Sequence, residues 1–203
     1  METKKIIKEA EKVLAKEISA IDELIYENSR KVLNAFHEVG ISEIHFGTTT
    51  GYGYGDIGRE AIEKVFARVL DAESALVRNQ FISGSHALTV AFFAFLRPGD
   101  TMISITGEPY DTLHEVIGIK DNPSSLKSYD ISYECIDLKD NDFDDEVIID
   151  TLKEKKYRLV HIQRSRGYSN RKSLTIDKVE RIVKKIAQIS PDSIIMVDNC
   201  YCE

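Results

Sequence analysis

The chain has 203 residues, the size of one domain or one and a half. Its 42% apolar and 30% charged residues, with only 4 prolines, exclude a disordered chain and allow a sizeable packed core. The formal net charge is −7. The longest apolar stretch, 87–96, is half the length that a bilayer requires, so no membrane span is expected.

Residues 3–39 carry apolar side chains at helical spacing, from Ile6 and Ile7 through Leu33 and Phe36, which predicts one long helix, or two joined near Ser19, ending at Gly40. A segment rich in Gly, Thr and Tyr follows over 45–58 and reads as an ordered loop, because its tyrosines are costly to leave solvated. Beyond it, short apolar runs predict strands at 75–78, 101–106, 131–136, 159–163 and 193–197. Amphipathic runs between them predict helices at 59–70, 85–96, 112–118, 144–155 and 176–189. Thr112 with Glu115 has the spacing of a capping box. Alternation of this kind predicts an α/β fold around a mainly parallel sheet, preceded by a helical segment over 1–45, with 46–203 forming the sheet domain. No helix or strand follows the last predicted strand, so as a finished domain the chain reads as cut short.

Charge is unevenly placed along the chain. Residues 121–155 hold eleven acids against four bases, and residues 156–190 hold ten bases against two acids. The basic stretch is either a face for an anionic small molecule or nucleic acid, or a set of solvated helix faces. Cys135, Cys200 and Cys202 are odd in number and the N-terminus has no signal-peptide core, which fits a reducing cytoplasm. Cys200 and Cys202 form a C-x-C with no companion pair, so no metal site is expected.

Ligands of parallel α/β sheets sit beyond the carboxyl ends of the strands. The turn Ser83, Gly84, Ser85, His86 opens a helix, where free N–H groups and the helix dipole suit a phosphate; a plain N-cap by Ser83 or Ser85 is the alternative. Gly53-x-Gly55-x-x-Gly58 matches a dinucleotide fingerprint, but no clear strand precedes it and no acid stands at the end of the next strand. Tyr110 lies between a strand and a helix, placed to cover a flat ring or to pack in the core. Asp198 ends an apolar strand, where a carboxylate binds a metal, orients a base, pairs with a protonated ring nitrogen, or anchors its own loop.

A phosphate cradle, a stacking aromatic and a carboxylate for a pyridinium nitrogen are the grips expected for pyridoxal 5'-phosphate. The order Gly-Tyr-Gly-Tyr-Gly-Asp at 51–56, then 79–87, 107–111, 163–169 and 197–201 resembles the aluminium-resistance, methionine gamma-lyase-like branch of the Cys/Met-metabolism enzymes. The resemblance implies fold type I, the large domain of a pyridoxal-phosphate enzyme, and elimination of a sulfur-bearing group from an amino acid. It implies cofactor contacts from Ser83, Gly84, Ser85 and His86 to the phosphate, from Tyr110 to the ring and from Asp198 to the ring nitrogen. Tyr52 and Tyr54 would reach a neighbouring subunit's phosphate in a homo-oligomer, and Arg164, Arg166 and Tyr168 would line the substrate side. The family's Schiff-base lysine lies beyond the aspartate-bearing strand, so no catalytic lysine is expected within the chain; Lys172 lies in the wrong element, and Cys202 stands where relatives carry Gly. The expectation is therefore the N-terminal part of a lyase that is inactive alone. The alternative is a non-catalytic partner module whose basic stretch meets an anionic partner or nucleic acid.

Overall fold

The computed structural model describes residues 2–200, and its contacts divide the chain into two compact units between Gln80 and Phe81. In the first unit the second of the two readings holds: α1 (Glu2–Val13) and α2 (Ala15–Val39) are separate helices, with the joint at Leu14 instead of near Ser19. The bonds from Leu14 N–H to Ala10 O and from Ile18 N–H to Leu14 O, both 2.9 Å, carry the helical ladder across the joint. α2 stops at Gly40, whose left-handed φ of 76° turns its N–H back to His37 O. A 3-10 turn (Glu43–Phe46) and α3 (Ile57–Val69) complete this unit, with α3 packed on both α2 and the turn. That packing takes the segment after residue 46 into the first unit.

The strand expected at 75–78 does not form a ladder among the described residues. Its backbone is engaged by a side chain instead: Val77 N–H donates to Glu63 Oε1 of α3 at 3.0 Å, and Arg78 ion-pairs with the same carboxylate.

The second unit opens with α4 (Gly84–Phe95) and continues as β1 (Thr101–Ser104), α5 (Asp111–Ile117), a 3-10 turn (Leu126–Tyr129), β2 (Ser132–Cys135), α6 (Asp145–Glu154), β3 (Leu159–Gln163), α7 (Ile176–Ile189) and β4 (Ile194–Asp198). The four strands pair in parallel in the order β2-β1-β3-β4. Side chains alternate across the pleat, so β1 and β3 feed two cores at once. Ile103, Val160 and Ile162 pack with Ile148 and Leu152 of α6 and with Ile182 and Ile186 of α7. Met102 and Leu159 pack on the other face with Phe92 of α4 and with Leu113 and Ile117 of α5. Each such buried aliphatic side chain contributes about 1.5–3 kcal/mol relative to exposure, which explains why the two central strands hold the unit together.

The capping box expected at Thr112 and Glu115 is not formed. Tyr110 is the N-cap of α5, Asp111 accepts from the N–H of Thr112 (2.8 Å), and Glu115 turns outward to Lys120 and Asn122. No described helix is long and apolar enough to cross a membrane.

Candidate functional site

Three loops of the second unit meet at the carboxyl ends of β1, β3 and β4, and the N-terminus of α4 lies beside the start of α5. Ser83 is extended and its Oγ accepts from the N–H of His86 at 3.1 Å, so the N-cap is real. It satisfies one of the orphan donors of the first turn, while Gly84 and Ser85 precede any possible i→i−4 partner within the helix. An added Cβ at Gly84 would meet nothing within 4 Å, so open space lies over this turn. Ser85 Oγ donates to Thr112 Oγ1 at 3.0 Å, which brings a second hydroxyl to the same place. His86 Nδ1 is buried without a hydrogen-bond partner, and its ring meets the edge of Phe81 at 6.0 Å.

Asp198 is buried at the end of β4. Its Oδ1 accepts from Cys200 N–H at 3.2 Å, and its Oδ2 is buried without a partner. Burial raises its pKa above the ordinary carboxylate range, opposed by the Cys200 N–H. The Tyr110 phenol is likewise held upward, first by burial and further by the charge of Asp198. A buried carboxylate oxygen without a donor is costly, and a protonated ring nitrogen is a donor that would satisfy it. The residues present therefore fit pyridoxal phosphate.

The segment following β3 is built around Gln163, which pairs in register with Asp198 across the β3–β4 ladder. Gln163 accepts the backbone N–H of Tyr110 at 3.0 Å, and the Tyr110 hydroxyl is hydrogen-bonded to Ser165. Arg164 turns to the far side, where its Nε donates to Leu174 O (3.0 Å) and its Nη1 to Asn199 Oδ1 (2.7 Å). Arg166 lines a cleft of ≈ 470 Å³ with Arg171, Glu108 and Asp137, and Tyr168 is fully exposed. Of the three residues expected on the substrate side, Arg166 thus lines a cleft, Arg164 ties two loops together and Tyr168 points to solvent.

Tyr52 and Tyr54 belong to the first unit and are exposed. Their loop is pinned by Asp56, which accepts from Arg59 N–H (2.9 Å), Gly51 N–H (2.9 Å) and the Thr49 hydroxyl (3.0 Å). These bonds, the Arg59 N–H foremost, hold its carboxyl below the usual range. No strand precedes the glycine fingerprint at 53–58 among the described residues, so the dinucleotide context is absent.

The acidic and basic stretches meet each other. Lys178 and Arg181 pair with Asp142, and Arg181 and Lys185 pair with Asp145. Much of the basic charge on α7 is thereby neutralised within the unit. Among the described residues no cluster of His, Cys, Asp and Glu is arranged for a metal; Cys202, like Tyr201, lies outside them.

Sequence reasoning did not name Thr112, Gln163, Ser165, Gly167 or Arg171 as site residues, although Thr112 stood in the expected capping box and the segment 163–169 was among the resembling motifs. Gln163 had a usable signal, since it is a polar residue ending an apolar strand in the same way as Asp198. The others depend on a loop path that no spacing encodes.

The parallel sheet with helices on both faces has the architecture of fold type I enzymes, and its polar side chains gather at the carboxyl ends of the strands, where ligands of parallel α/β sheets bind. The chain belongs to the methionine gamma-lyase family, whose model matches residues 3–203. It is 40% identical over 203 residues to the uncharacterized protein YnbB of Bacillus subtilis, covering 98% of this chain and 48% of that one. Among solved structures, a carbon-sulfur lyase involved in aluminum resistance from Clostridium novyi NT is 48% identical with a TM-score of 0.92, over 98% of this chain and 48% of its own. A Bacillus cereus protein is 41% identical with a TM-score of 0.94, over 100% and 50%. The O-acetylhomoserine sulfhydrylase of Wolinella succinogenes shares the fold at 19% identity and a TM-score of 0.50, over 69% and 34%. The chain spans about half the length of these closer relatives.

Proposed function

We propose that these residues form the cofactor-binding part of a pyridoxal-phosphate-dependent carbon–sulfur lyase acting on a sulfur-containing amino acid. The carrying observation is the unpartnered Oδ2 of Asp198, buried at the sheet's carboxyl edge in register with Gln163, which holds the Tyr110 backbone. When bound, pyridoxal phosphate supplies an electron sink that stabilises negative charge at the substrate α-carbon.

The chain's own residues supply binding and orientation. The open first turn of α4, with Ser83, Gly84, Ser85 and His86 and the added hydroxyl of Thr112, offers N–H and O–H donors to the phosphate. Asp198 would hold a proton on the ring nitrogen, because a buried anion favours the charged form of a base beside it. Tyr110 would cover the ring. Arg166 is the better candidate for the substrate carboxylate, because Arg164 is committed to Leu174 O and Asn199. The exposed Tyr52 and Tyr54, on a loop fixed by Asp56, suit a contact with a neighbouring subunit in at least a dimer. A cytoplasmic setting accords with the free thiols of Cys135 and Cys200.

Residues 1–203 alone should bind the cofactor weakly and turn over no substrate, since the family's lysine is expected outside them. Pyridoxal phosphate added to the purified chain tests this: reversible binding that borohydride does not fix is the expected result. Borohydride-stable attachment to a specific lysine within residues 1–203 that accompanies lyase turnover would overturn it. The internal pairing of Lys178, Arg181 and Lys185 favours the lyase over a nucleic-acid-binding module.

A further inference from the structure

We propose that the loop 163–171 is a brace that fixes the position of the Tyr110 ring, with Gln163 and Arg171 as positioning residues and Gly167 as the seat of the ring. The structural part stands by itself; its consequence for ligand binding rests on the function proposed above.

Tyr110 is gripped at three places. Its backbone N–H donates to Gln163 Oε1 (3.0 Å), its hydroxyl bonds to Ser165, and its ring edge lies against Gly167. Gly167 has a left-handed φ of 57°, and an added Cβ would lie 2.7 Å from Tyr110 Cε1, closer than carbon atoms approach, and 3.1 Å from Cδ1, a tight contact. Only a residue without a side chain lets the loop cross the ring there. A tyrosine that merely fills a core needs neither a backbone tether nor a glycine at its edge.

The loop is closed in turn by one guanidinium. Arg171 Nη2 donates to Gln163 O (2.9 Å) and to Ser165 O (2.6 Å), and Nη1 donates to Lys172 O (3.1 Å). Gln163 Nε2 adds a bond to Ser165 O at 3.2 Å. Two residues that hold Tyr110 are therefore joined through a single side chain. A lysine has one nitrogen where Arg171 has two, so it cannot keep the Nη1 bond to Lys172 O while serving both other carbonyls, and it loses the rigid guanidinium plane that fixes their spacing.

The test uses the full chain labelled with 3-fluorotyrosine, with the Tyr110 resonance assigned by Tyr110→Phe. In Arg171→Lys and Gly167→Ala the Tyr110 line should shift or broaden while the other tyrosine lines stay in place. Ser165→Ala removes one hydroxyl and leaves the loop backbone intact, so it keeps the test valid should the other variants fail to fold; it should shift the same line alone. An unchanged Tyr110 line in the folded variants would overturn the brace. In parallel, pyridoxal phosphate affinity measured by calorimetry should fall about 2- to 10-fold in Arg171→Lys, the value of one aromatic stacking contact. A moved Tyr110 line with unchanged affinity would uphold the brace and refute the stacking role given to Tyr110. Absence of any binding by the unsubstituted chain would count against the proposed function and leave the resonance result to decide the brace.

Discussion

His161 offers a quantitative test of the sheet's interior. It lies in the middle of β3, is completely buried, and neither ring nitrogen has a hydrogen-bond partner; the ring meets Phe92 edge-on at 5.6 Å. Burial pushes its pKa down to about 4, from 6.5 in the unfolded chain. Because the unfolded state binds the proton more tightly, stability is full above pH 6.5 and is lost as pH falls toward 4. The loss reaches about 3 kcal/mol once pH is below the folded value, and about 2 kcal/mol of it has accrued by pH 5. Replacement by an apolar residue of similar size, His161→Leu, removes both the titration and two orphan polar atoms. The variant should be about 1 kcal/mol more stable at pH 7.5, from the relieved desolvation less some packing mismatch, and about 3 kcal/mol more stable at pH 5. Urea unfolding of both proteins at the two pH values, followed by circular dichroism, reads the difference directly. An equal pH dependence in the two proteins would refute the claim that His161 is held neutral by burial.

Two further outcomes follow from the contacts. Ser83→Ala removes the acceptor of the His86 N–H and should lower stability by about 1 kcal/mol in thermal unfolding, without altering the helix content of the rest of the chain. Asp145→Asn takes the charge from the partner of Lys185 and Arg181; it should cost roughly 1 kcal/mol and increase salt-sensitive retention on a DNA column, where the unsubstituted chain should elute at low salt.

The periodicity of the chain carried most of the second unit. Strands near 101, 131, 159 and 193 and helices near 85, 144 and 176 all form; the two central strands, β1 and β3, are buried on both faces and leave the clearest apolar runs, while edge strand β2 is half-buried or exposed throughout. Segment 75–78 has the same kind of run and makes no ladder, since strand formation needs a neighbouring strand as well as apolar side chains. Leu14 rather than Ser19 marks the helix joint, a difference of five residues that apolar residues at helical spacing do not resolve, because the pattern runs on through both. Around the candidate site, polar residues that end strands or open helices were visible, Asp198, Tyr110 and Ser83 among them. The brace around Tyr110 was not, because Gly167 and Arg171 act through a loop path set by hydrogen bonds to carbonyl oxygens, and backbone acceptors carry no residue signature.

The pairing of Asp198 with a ring nitrogen is the point on which the cofactor assignment turns. The most direct measurement compares, for the unsubstituted chain and Asp198→Asn, the affinities for pyridoxal phosphate and for its 1-deaza analogue, in which carbon replaces that nitrogen. The unsubstituted chain should prefer pyridoxal phosphate by about tenfold or more, the worth of a hydrogen bond between charged groups, and Asp198→Asn should lose most of that preference. Equal affinities in the unsubstituted chain, or a preference that survives Asp198→Asn, would contradict the account.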